Sequence, residues 1–319
     1  MILCLSGGVG GAKLVLGLSR VLDAKSLAVA VNTGDDFVHL GLEVWPDFDT
    51  TLYTLAGLAD PQQGWGRDAE TWCVMDELRA RGGEDWFKLG DKDIALHLVR
   101  AQLRNEGLTA SECASVLRAR FEVATAITPA TDQTVRTIVH TDKGALPFQH
   151  YFVRHRAEPA VSRLSYEGAA TARLSPAILA ALRDPSLEAI IIAPSNPFLS
   201  VDPILAIEGC RAALRQAGVP IIAVTPIIAG AAVKGPTAKI MREFGLPVAG
   251  AAVAAHYEDL IDGFVLDRTE ASDCAAIEAS GVACAVEQTL MRDDAGKAEL
   301  AARVLAFART CAKRRGSTT

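Results

Sequence analysis

Apolar runs of strand length alternate with segments whose apolar positions recur at helical spacing along most of the chain. A continuous apolar run of about four to eight residues marks a buried strand, and the periodic segment after it marks a helix packed back on the sheet. Repeated, this predicts a Rossmann-like, doubly wound α/β fold with a mainly parallel sheet. Ile2–Leu5 reads as the first strand, Gly7–Gly11 as a turn and Ala12–Leu22 as an apolar-faced helix. Ser26–Val31 reads as the second strand, ending at Asn32-Thr33-Gly34-Asp35-Asp36, with a short helix expected after Asp49 or Thr50, either of which can cap it. Leu187–Ala193, Ile221–Val224 and Phe264–Leu266 are further strand candidates, and Ala295–Ala312 closes the chain as a helix.

The alternation stops between about residues 60 and 121. Trp72, Met75 and Leu78 recur at helical spacing there, and Asp91 is placed to cap a helix whose apolar face carries Ile94, Leu98 and Val99. This predicts a helical subdomain inserted into a single α/β domain spanning residues 1–319. Beyond it, Val135–His140 and Phe148–Val153 read as two strands around a turn at Thr141–Pro147, and Ser175-Pro176 as a cap followed by proline at the first helical position.

Composition narrows the class. Half of the 319 residues are hydrophobic and 22% are charged, which suits a folded globular domain. The net charge is −6 and the one basic cluster is the tail Lys313-Arg314-Arg315, so a nucleic-acid partner is not expected. Seven scattered cysteines form no C-x-x-C pair, which argues against a disulfide framework or zinc site and for reduced thiols in the cytoplasm. The N-terminus lacks the basic region of a signal peptide, and no window reaches the ~18 apolar residues of a membrane span, so no membrane role is expected.

Ligands of doubly wound folds collect at the carboxyl ends of strands, where the unusual segments of this chain fall. Ser6-Gly7-Gly8-Val9-Gly10-Gly11-Ala12-Lys13 joins a strand to a helix. Glycines let a phosphate approach the backbone, and the helix N-terminus attracts it. The spacing fits neither a Walker A loop nor G-x-G-x-x-G; a tight turn needing glycine only for packing is the alternative. Asp35 and Asp36 stand near Asp47 and Asp49 of Pro46-Asp47-Phe48-Asp49-Thr50. In an extended segment Asp47 and Asp49 project to one side and could hold Mg²⁺ beside a phosphate, whereas a capping role for Asp49 would leave no such site. Ser195 and Asn196, after the run Ala189–Ile192, could hydrogen-bond a sugar or phosphate, and Lys234 beside Gly235 could neutralise one. Gly64-Trp65-Gly66 and Trp86-Phe87-Lys88-Leu89-Gly90-Asp91 set aromatic rings among glycines, which suits a slot for a flat ring system or, equally, a core anchor.

Taken together, Gly7-Gly-Val-Gly-Gly-Ala-Lys13, Asn32-Thr-Gly-Asp-Asp36, Pro46-Asp-Phe-Asp-Thr50, Gly64-Trp-Gly66, Trp86-Phe-Lys-Leu-Gly-Asp-Lys-Asp93, Ala193-Pro-Ser-Asn-Pro197 and Ala232-Val-Lys-Gly-Pro236 resemble the 2-phospho-L-lactate transferase family over nearly the whole chain. The resemblance implies a Mg²⁺-dependent step of coenzyme F420 biosynthesis. The donor would be lactyl-2-diphospho-5′-guanosine, or its analogue made from phosphoenolpyruvate or 3-phosphoglycerate. The acceptor would be the ribityl hydroxyl of 7,8-didemethyl-8-hydroxy-5-deazariboflavin (Fo), and GMP would be released. It further implies Fo contacts by Asp49 and Lys88, a homodimer, and a guanylyltransferase that supplies the donor. Within that frame Lys13, Asp47 and Asp49 are the expected catalytic residues, with Asp47 and Asp49 as the metal ligands. Gly7, Gly8, Gly10, Gly11, Asn32, Asp35, Asp36, Lys88, Ser195, Asn196 and Lys234 are the expected binding residues. A rival resemblance, confined to the fold and the glycine loop, is to gluconeogenesis-factor regulators that bind nucleotide sugars without turning them over. The broken dinucleotide fingerprint counts against a third reading, an NAD-dependent dehydrogenase.

Overall fold

In a computed structural model, which describes residues 1–257 and 259–316, seven strands form one parallel sheet. They are β1 (Ile2–Ser6), β2 (Leu27–Val31), β3 (Ala126–Pro129), β4 (Ala189–Ile192), β5 (Ile221–Val224), β6 (Gly263–Asp267) and β7 (Ala283–Glu287). Their order across the sheet is β3-β2-β1-β4-β5-β6-β7, all pairs parallel. The chain therefore winds outward from β1 in one direction and from β4 in the other. The switch point lies between β1 and β4, where such folds open a crevice. β1, β4 and β5 are buried at every residue, which is why they read as unbroken apolar runs.

Helix α1 (Gly8–Val21) and the closing helix Asp294–Gly316 cover one face; Leu14, Val15 and Leu18 share a core with Leu300 and Val304. The other face buries Ile178, Leu182, Leu214 and Val253 against Ile190 and Phe264. Truncating one of these side chains to alanine costs ~2–5 kcal/mol in a close-packed core. In the basic tail, the side chain of Arg315 lies outside the described residues.

Several elements differ from the sequence expectations. α1 begins at Gly8, so the glycines form its first turn and not a loop before it. β2 starts at Leu27 because Ala24–Ser26 is a 3₁₀ turn. α2 spans Pro46–Leu55 behind an N-cap at Trp45, earlier than expected, since the fixed φ of Pro46 suits the first helical position. Between α2 and β3 come α3 (Cys73–Ala80), α4 (Asp91–Asn105) and α5 (Ala110–Arg120). Asp91 caps α3 and not its own helix, accepting from the backbone N–H of Cys73 (3.0 Å) and Val74 (3.0 Å). Leu98 faces solvent, while Leu96, His97, Arg100 and Leu103 are buried. Arg136–Thr141 pairs with Gly144–Pro147 on one side and Val161–Glu167 on the other; the expected strand at Phe148–Val153 is instead a π-helical turn over His150–Arg154. Neither edge strand was expected from the sequence: β3 is four residues long and ends at Pro129, and β7, half-buried at every position, holds a short run of mostly small residues.

Candidate functional site

The carboxyl ends of β1 and β4 are stitched together at the switch point. The Gly7 N–H donates to Ser195 Oγ (3.2 Å), and the Gly8 N–H donates to Asp47 Oδ1 (2.7 Å). A Cβ on Gly7 would fall 2.5 Å from Asp47 Oδ2 and 2.6 Å from Ser200 Cβ, and one on Gly10 would overlap the Pro194 carbonyl oxygen. A Cβ on Gly11 would press on the hydroxyls of Ser6 and Ser195. Gly8 has φ +62°, which disfavours any other residue. Close packing of α1 against the β4 loop thus explains three of these glycines, and backbone conformation the fourth.

Asn32, at the end of β2, organises an acidic pair. Its buried Nδ2 donates to Asp35 Oδ1 (2.9 Å), Asp47 Oδ2 (2.9 Å) and the Leu199 carbonyl (3.1 Å), while its Oδ1 accepts from the Gly34 N–H (2.8 Å). Burial pushes Asp47 up to about 6 against the hydrogen bonds from Asn32 and Gly8. Burial and the Asp47 charge raise Asp35 well above the carboxylate range. Asp36 is also raised by burial; its Oδ1 has no partner, and it stands behind the pair, outside the cavity lining. Two buried carboxylates that share an amide and lack a counter-charge fit Mg²⁺, an ion content with one or two carboxylates when phosphate oxygens and water complete its shell. Among the described residues no group of three or more His, Cys, Asp and Glu side chains is arranged to hold a metal.

The expected metal pair Asp47–Asp49 is corrected by this geometry. Both residues lie in the first turn of α2, where positions two apart point to different sides of the helix. Asp49 turns toward α4: Oδ1 pairs with Arg100 and Oδ2 with His97 Nε2 (3.3 Å). Burial works to raise Asp49, but Arg100 and His97 outweigh it and hold the carboxyl below its usual range. Arg100 itself is fully buried; it also donates to the Glu43 carbonyl (2.9 Å) and lies 4.2 Å from the Trp45 ring centroid. With both oxygens engaged, Asp49 holds α2 against α4.

A cavity of about 910 Å³ opens beside these groups and has two chemically distinct ends. At the glycine-loop end, Lys13 Nζ donates to the Met291 carbonyl (3.3 Å) and Lys234 Nζ to the Gln63 carbonyl. Burial, then the charges of Lys234 and Lys297, lower Lys13. Ser195 and Asn196 line this end; Asn196 Oδ1 caps the Phe198 and Leu199 N–H groups, and its Nδ2 has no protein partner. Gly64 packs here, where a Cβ would lie 2.8 Å from Val9 and 3.6 Å from Lys234 Nζ. The other end is walled by Trp86, Phe87, Phe148 and Phe152, with Lys88 at its rim. Gln149 Nε2, on this wall, donates to the backbone carbonyl of Asp35 (3.4 Å), so the Asp35 backbone adjoins the aromatic wall while the Asp47 carboxylate adjoins the glycine loop.

The two glycine–aromatic segments are therefore separated: Gly64-Trp65-Gly66 covers the lysine end, and Trp86 meets His150 (4.6 Å between centroids) at the aromatic end. Sequence reading missed Arg100, Gln149 and Met291, and read His97 as structural. The signal for Arg100 was present, because a charged residue occupies a core position of α4 at the spacing of Leu96 and Leu103.

Comparison with known proteins shows the family and the fold. Residues 2–305 match the family model described as 2-phospho-L-lactate transferase CofD. The phosphoenolpyruvate transferase of Kitasatospora aureofaciens is 39% identical over 314 residues, covering 96% of this chain and 97% of that protein. The protein of the same name from Streptomyces griseus is 38% identical, covering 96% and 98%, and that of Mycobacterium tuberculosis 38%, covering 93% and 95%. In fold, the chain is similar to protein BH3568 of Bacillus halodurans, a UPF0052 family member, with TM-score 0.62 and 14% identity over 95% of this chain and 98% of that one. The chain belongs to the 2-phospho-L-lactate transferase CofD family.

Proposed function

We propose that the protein transfers a phosphorylated three-carbon acid from a guanosine diphosphate-linked donor to the terminal ribityl hydroxyl of Fo, in coenzyme F420 biosynthesis. The observation that carries this reading is the two-ended cavity, lysines at one end and aromatic rings at the other, with the Asp47 carboxylate adjoining the first and the Asp35 backbone the second. Lys13, Lys234 and the free Nδ2 of Asn196 hold the diphosphate, and Trp86, Phe87, Phe148 and Phe152 hold the deazaflavin. The hydroxyl oxygen bonds to the phosphorus that carries the acid, the bond from that phosphorus to the oxygen of GMP breaks, and the hydroxyl proton leaves. Mg²⁺ held by Asp35 and Asp47 would neutralise the diphosphate charge. Attack through a loose transition state needs little early deprotonation, so positioning and charge neutralisation carry the rate. The name shared by the relatives favours phosphoenolpyruvate as the three-carbon unit, with a guanylyltransferase supplying the activated donor. A homodimer is part of the same proposal.

Titration with Fo, followed by its fluorescence, and separately with GDP tests the division of the cavity. Trp86→Ala should weaken Fo roughly tenfold and leave GDP little changed, as expected when one aromatic wall is lost. Lys13→Ala should do the reverse. Binding of GDP without any binding of Fo would favour a nucleotide-binding regulator over a transferase.

A further inference from the structure

We propose that the cavity takes Fo as the anion of its ring hydroxyl, and that Arg156 is the specificity residue that meets this charge. The inference rests on the acceptor proposed above and begins from the backbone. After the π-helical turn His150–Arg154, Arg156 and Ala157 adopt φ +50° and +54° in succession. Such left-handed conformations cost L-residues about 1–2 kcal/mol each and persist where the surroundings impose them. Here the His155 N–H donates to the His150 carbonyl (2.9 Å), Ala157 N–H to Tyr151 (2.9 Å) and Glu158 N–H to His155 (2.9 Å). The result is that Arg156, although exposed, lines the aromatic end of the cavity.

The same turn supplies a ring face. Phe152 lies parallel to Phe148, with centroids 5.5 Å apart and planes at 8°, and both line the cavity. Arg154 is engaged elsewhere, over the Trp86 ring (6.0 Å). No carboxylate forms an ion pair with Arg156 among the described residues. The other charged or titratable groups around this end are Lys88, which lines the cavity, and Glu84, Asp85, His150, Arg154, His155 and Glu158 near it. Asp85 is taken by Arg79 (2.8 Å), and burial followed by Arg154 lowers His150, which favours its neutral form. Lys88 and Arg156 are thus the cations that line the cavity beside these aromatic faces.

A neutral ring would draw on the aromatic faces alone. The ring hydroxyl of Fo, however, is conjugated with a carbonyl of its pyrimidine ring, which makes it a vinylogous acid whose anion is spread over a plane. A guanidinium matches such a planar anion in hydrogen bonding and in stacking. A cation beside an acid favours its ionised form by roughly one pH unit or more.

The test is a pH titration of the absorbance of Fo, free and bound, with the parent, Arg156→Gln and Arg156→Lys. Half-ionisation of bound Fo should fall roughly one pH unit or more below that of free Fo in the parent and in Arg156→Lys. In Arg156→Gln the shift should vanish and binding above neutrality should weaken about tenfold, the same differential in affinity. 5-Deazariboflavin, which lacks the hydroxyl, should bind all three proteins alike. A bound ring that titrates at its free value, or a shift that survives in Arg156→Gln, would overturn the proposal. Absence of Fo binding beside intact GDP binding would instead overturn the transferase reading, and this proposal with it.

Discussion

Asn32 concentrates the chemistry of the site into one amide, because its Nδ2 holds Asp35 and Asp47 together and keeps two like charges buried. Such an arrangement costs stability. Both carboxyls titrate above the unfolded value of 3.8. A folded-state pKa above the unfolded one means a contribution present below the unfolded value and lost as pH rises, through about 6 for Asp47. Asp35→Asn keeps an oxygen for the Asn32 bond and removes one charge. Its melting temperature should match the parent's near pH 4 and exceed it by a few degrees above neutrality, while transfer falls roughly 10²-fold or more. Equal pH dependence of melting in both proteins would show that the pair is not strained by charge. Arg100 has the opposite role, satisfying Asp49, Glu43 and Trp45 at once. Arg100→Ala leaves the buried Asp49 carboxylate with His97 as its remaining partner and should cost about 3–5 kcal/mol in urea unfolding.

Among the elements, β1, β2, β4, β5 and β6 were legible to within a residue or two, because strands covered on both faces are continuous apolar runs. The edge strands β3 and β7 were not, since a four-residue strand ending in proline and a half-buried run of mostly small residues stand out less from their surroundings. The candidate site was legible as segments and not as geometry. Gly7–Lys13, Asn32–Asp36 and Ser195-Asn196 do meet at the switch point. The Asp47–Asp49 pairing read a period of 3.6 as a period of two: Pro46 starts a helix, and Asp49 turns to Arg100 and His97 although both carboxylates line the cavity. That helix makes Gly10→Ala informative, because its methyl would meet the Pro194 carbonyl and push α1 from the β4 loop. Overpacking there should cost about 1–3 kcal/mol and weaken GDP more than Fo. Urea unfolding and paired titrations check this, and unchanged stability would mean that the loop yields freely. In the helical segment, Thr109 and Glu112 form a reciprocal capping box on α5. Thr109→Ala should therefore lower stability by ~1 kcal/mol and leave both ligands unaffected.

In the whole molecule, the switch point joins a lysine-bearing end built on β1, β4 and the loop after β5 to an aromatic end built from the α3–α4 loop and the turn at His150–Arg154. Transfer between two bound molecules requires both ends on one cavity, a demand that simple nucleotide binding does not make. If the acidic pair holds Mg²⁺, added Mg²⁺ should raise the melting temperature of the parent more at pH 8 than at pH 5, and should do little for Asp35→Asn. The central claim is the transfer itself. It is tested most directly by mass spectrometry of the products formed from Fo, GTP, Mg²⁺ and each three-carbon phosphate, with the guanylyltransferase present. The account predicts a phosphodiester of Fo bearing the three-carbon acid, formed together with GMP, and formed most readily from phosphoenolpyruvate. Fo recovered unchanged beside intact donor, with every three-carbon phosphate, would contradict it.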